Sequence, residues 1–124
     1  MSYEVLGGII DVLISHINSL ERSEKRIKDT ESPSAIASIM LYKSWKASLL
    51  KITAKAKETY EEAKRGNKLA ASIDSCALAD MVNNVLISSN PEDPVFMELR
   101  PVLTYLKDIA LASCSPDLQP TIQP

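Results

Sequence analysis

From Ala35 to Ala63 the chain places Ala35, Ser38, Tyr42, Trp45, Leu49, Ile52, Ala56, Thr59 and Ala63 at alternating spacings of three and four. That rhythm draws one narrow stripe along a helix and leaves the opposite side to Lys43, Lys46, Lys57, Lys64 and Lys68. The pattern predicts a long helix from Pro33 to about Arg65, built to pack lengthwise on other helices. Its start has a mechanism: Pro33 disfavours helix at Ser32 yet suits a first helical turn, which the Ser32 side chain can cap. Its end has one too, because Gly66 can take the left-handed conformation that closes a helix, and Asn67 can cap the next.

Before this element, Leu6, Ile10, Leu13, Ile17, Leu20 and Ile27 predict a first helix, capped by Ser2 and running to about Asp29. Its first half is apolar on more than one side; its second half carries Glu21, Arg22, Glu24, Lys25, Arg26 and Lys28 and reads as exposed. Gly7 and Gly8 inside it each cost about 1 kcal/mol relative to alanine, which points to close approach of a neighbour or to a frayed first turn. A third helix spans about Lys68 to Ser88. A last one uses Phe96, Leu99, Leu103 and Leu106, and Pro101 within it either kinks it or marks a later start near Arg100. The expected fold is therefore all-α, about four helices in an antiparallel bundle with a long second helix. The bundle should be one domain over 1–114, with a flexible Pro-rich tail over 115–124. Helices one and two, read at nearly thirty residues each, should overhang the shorter pair.

With 124 residues and 45% hydrophobic side chains, the chain is long enough for one core. Its formal charge of −2 hides a segregation, for 43–68 carries three acids and eight bases while the flanks together carry thirteen acids and six bases. Lys43, Lys46, Lys51, Lys55, Lys57 and Lys64 are thus candidate contacts to nucleic-acid phosphates, although a solvated helix face is lysine-rich for reasons of propensity alone. Pairs Lys57–Glu61 and Glu61–Arg65 are expected along that face. Val5 to Ile14 is apolar but contains Asp11 and is shorter than a membrane span of about 20 residues.

Candidate chemistry is sparse. His16 is the single histidine, and no spacing around it makes a metal site. Serines are plentiful, but none lies in a Gly-x-Ser-x-Gly turn. An enzyme would have to assemble a site from Asp80, His16, Tyr42 and nearby carboxylates, so no catalytic activity, metal or cofactor is expected. Cys76 and Cys114 belong to no Cys-x-x-Cys or Cys/His cluster and are expected as free thiols in a reducing cytoplasm. No diagnostic motif assigns the chain to a family. The function expected is a non-enzymatic interaction or assembly module, homo-oligomeric or part of a larger complex, with Trp45, Leu49, Ile52 and Tyr60 at the partner interface. The alternative is a weak, sequence-independent nucleic-acid-binding subunit that uses the lysines.

Overall fold

The computed structural model describes residues 3–28 and 31–114. Within them lie α1 (Tyr3–Lys25), α2 (Pro33–Lys64), α3 (Lys68–Ser88) and α4 (Pro94–Ser113), with no strand among the described residues. Consecutive helices pack side by side with short connections, so the elements form an antiparallel helical bundle. The expected cap at Ser2 and the 115–124 tail lie outside the described residues; α1 ends at Lys25, short of the expected end near Asp29, and Arg26 to Lys28 are not helical.

Two helices begin on side-chain caps. Ser32 Oγ accepts from the Ala35 N–H at 3.2 Å, with Pro33 in the first helical turn of α2. Asp93 Oδ1 accepts from the Val95 N–H at 2.9 Å and heads α4. Gly66 closes α2 with φ +81°, a conformation that side chains with a Cβ rarely adopt. Asn67 departs from expectation: its amide donates to Glu62 Oε2 at 2.8 Å instead of capping α3. Pro101 neither splits α4 nor delays its start. The ring sits on the exposed side, where the one helical bond it cannot donate, to the Met97 carbonyl, is cheapest to lose.

One hydrophobic core draws on all four helices: Leu6 and Leu13 from α1, Leu49 and Ile52 from α2, Leu78 and Val82 from α3, Leu103 and Leu106 from α4. Across it Trp45 stacks on Phe96, with ring centroids 6.0 Å apart. The indole N–H donates to Asp93 Oδ2 at 2.9 Å, so the carboxylate that caps α4 also holds the largest side chain of α2. Gly7 is explained by close approach, for a Cβ there would stand 3.1 Å from the Tyr60 ring.

Two expectations are corrected. Cys76 and Cys114 are joined in a disulfide, with Cα atoms 4.9 Å apart, rather than free. The antiparallel run of α3 and α4 brings the cysteine on the inner side of α3 opposite the C-cap of α4, a proximity that a sequence separation of 38 does not reveal. The overhang also differs. α1 has 23 residues, close to the 21 of α3 and 20 of α4, so only the 32-residue α2 projects. At about 1.5 Å per residue α2 is about 48 Å long. It projects at its start: its first buried residue is Trp45, three turns in.

Candidate functional site

Adjacent helices in the bundle meet closely except for α1 and α4, whose contact is slight. The seam between them stays open as a groove. At one end the groove is polar: His16, Ser19 and Ser23 of α1, Tyr42 of α2 and Glu98 of α4 line a cleft of about 210 Å³. There His16 Nδ1 stands 4.0 Å from Glu98 Oε1, whose side chain is 72% exposed. At the other end Val5, Gly8, Val12, Pro101 and Tyr105 line an open, apolar stretch of about 420 Å³. Val5, Val12 and Tyr105 are each 40% exposed or more, and Met97 on the same helix as Tyr105 is 62% exposed. Gly8 differs from Gly7, because nothing in the chain lies within 4 Å of where its Cβ would be.

The sequence-predicted interface is largely spent inside the chain. Trp45, Leu49 and Ile52 are buried to 7%, 0% and 0% exposure, so they form the intramolecular core and present nothing to a partner. The narrow stripe of α2 is closed by α1, α3 and α4. Tyr60 alone of the four stays half-exposed, edge-on to Tyr3 at 5.6 Å, with Lys64 Nζ 5.8 Å from its ring centre.

The lysines do not form one cationic track. Lys46 and Lys43 reach Glu24 of α1 at 3.3 and 3.7 Å, while Lys55 reaches Glu58 at 2.6 Å and Asp74 of α3 at 3.8 Å. Register at about 100° per residue sets Lys46, Lys57 and Lys64 on the α1 flank and Lys51 and Lys55 on the α3 flank. The expected Lys57–Glu61 and Glu61–Arg65 pairs give way to Lys55–Glu58 and Arg65–Glu62, each three residues apart. The Glu58 hydrogen bond holds the Lys55 ammonium above its ordinary pKa, and burial raises the Asp74 carboxyl above its own despite the opposing pull of Lys55. His16 and Tyr42 do share the polar cleft, but Asp80 is half-buried on α3 and is not part of it. Among the described residues, no group of three or more His, Cys, Asp or Glu side chains is placed to hold a metal ion.

The residues missed at the sequence level are those on the outer side of α2. Ile36, Met40 and Leu50 are 43%, 66% and 52% exposed, and Ala47 and Ala54 continue the same face. Their signal was present: α2 has apolar residues on two opposite sides, and the sequence reading counted one. Among the described residues, no helix is long and apolar enough to cross a membrane. No family model, curated protein or solved structure matches the chain.

Proposed function

We propose that this protein is a non-enzymatic helical assembly module that associates with further copies of itself, the same surfaces serving if it is a small subunit of a larger complex. One observation carries the reading: the fold leaves the α1–α4 seam open and lines one end of it with apolar side chains, while its own core is complete elsewhere. Exposed contiguous apolar surface costs solubility and is characteristic of interaction sites.

Nucleic-acid binding through Lys43, Lys46, Lys51, Lys55, Lys57 and Lys64 is the second reading. It rests on a stretch, 36–57, with five lysines and no acid. It ranks lower because three of the six lysines already face carboxylates and because the set divides between two flanks. On location, the disulfide weighs against the reducing cytoplasm expected from free thiols, since such bonds persist mainly in oxidising surroundings.

Light scattering over a wide protein concentration range, at low and high salt and with or without a mixed pool of short DNA and RNA, tests both readings. Assembly predicts mass that rises with protein concentration and survives high salt. A strict monomer would remove the self-assembly reading. Mass gained only with nucleic acid, and lost with salt at a log–log slope of about −0.7 to −0.9 per phosphate neutralised, would install the second.

A further inference from the structure

We infer that copies of this chain join head to tail, the outer ridge of α2 on one copy seating in the α1–α4 groove of the next. The inference rests on the assembly reading above and adds which two surfaces meet. Shape gives the first argument. The groove is a furrow between two helices, and its complement is a third helix laid along it. The outer side of α2 is such a helix, unpartnered within the chain, with Ile36, Met40 and Leu50 raised on it and Ala47 and Ala54 between them. Small residues let helices approach closely, and the groove offers an exposed Gly8 on its α1 side, where a Cβ would meet nothing within 4 Å beyond its own helix backbone and chain neighbours.

Charge gives the second argument and identifies the occupant as a second copy. The charged residues of α2 from 36 to 57 are all lysines, and Lys43 and Lys51 stand exposed beside the ridge, Lys43 also 3.7 Å from Glu24 of α1. Beside the groove stand Glu98 and Asp108 on α4, both exposed, and α1 has no lysine or arginine before Arg22; Glu4 and Asp11 lie on the other flank of α1, in a hollow shared with Lys57, Tyr60 and Glu61 of α2. Arg100 and Lys107 of α4 fall by register on the flank toward α3, away from the groove. An apolar ridge with cations beside it thus matches an apolar furrow with anions along its α4 side, and one sequence carries both. α3 also exposes Leu69, Ile73 and Ile87, but no such complementarity accompanies them. Because ridge and groove are different faces of one molecule, the contact is heterologous. It leaves a free ridge at one end and a free groove at the other, and it extends into a row or closes into a ring.

Two exposed substitutions test this. Leu50→Glu spoils the ridge and Val12→Lys spoils the groove, each at a site where the fold itself has little to lose. Mass is read by light scattering or sedimentation for wild type, each variant and their equimolar mixture, with circular dichroism melting as the check on folding. Where a variant melts early, Met40→Glu and Tyr105→Lys replace the pair. The expected result is that each variant alone self-associates at least about tenfold more weakly than wild type. The mixture should form a one-to-one heterodimer and grow no further, since it retains one intact ridge and one intact groove. If wild type grows but either variant grows equally, or the mixture stays monomeric, the assembly reading stands and this pairing of faces is wrong. Wild type that is monomeric throughout overturns both.

Discussion

The Asp93 carboxylate serves two helices at once, capping α4 through Oδ1 and taking the Trp45 indole N–H through Oδ2. Removing it uncaps a helix and strands a part-buried donor, each worth about 1 kcal/mol or more. Asp93→Ala should therefore lower stability by about 2–3 kcal/mol in urea unfolding, and Trp45 fluorescence should change in the native baseline. Asp93→Asn, which keeps an acceptor for the cap, should cost less. Asp74 behaves oppositely to most carboxylates. Burial raises its folded-state pKa above the ordinary value of 3.8, so the stability linked to it is fully present below that value and is lost as pH rises through the folded-state pKa. Asp74→Asn should then raise the melting temperature more at pH 7 than at pH 3, relative to wild type at each pH. An equal shift at both would refute the assignment.

Among the elements, α2 is distinguished by carrying two apolar faces, one inside the bundle and one outside. A helix of that kind shows weak amphipathic contrast, which is why the regular stripe was legible and the outer ridge was not. The link between α3 and α4 is covalent. Closing a loop of 38 residues between Cys76 and Cys114 stabilises the fold by about 4 kcal/mol on loop-closure grounds. The Cys76→Ala, Cys114→Ala double variant should lose about that much in urea titration while keeping its helical circular dichroism. A double variant as stable as wild type would mean that packing alone sets the α3–α4 register.

At the scale of the whole molecule, the fold was readable because local rules and global packing agree. Apolar spacing located all four helices, and Ser32, Pro33 and Gly66 marked boundaries at or near where they fall. The surfaces were not readable to the same degree. Trp45, Leu49 and Ile52 have the pattern of a seam whether it closes within a chain or between chains, and only the placement of α1, α3 and α4 decides between them. Neither the 48-residue reach from Trp45 to Asp93 nor the meeting of Cys76 with Cys114 leaves a trace in local sequence. The open α1–α4 seam is likewise a property of how four helices divide their contacts, not of any one of them.

The bond from Cys76 to Cys114 also determines how the molecule transmits force. Tension applied to the chain beyond Cys114 does not peel α4 away turn by turn from its end. It crosses the sulfur bridge and enters α3 at Cys76, bypassing everything from 77 to 113. The mechanical length of the protein is thereby shortened to α1, α2 and the first part of α3, with the rest of the bundle carried as an unstretched passenger.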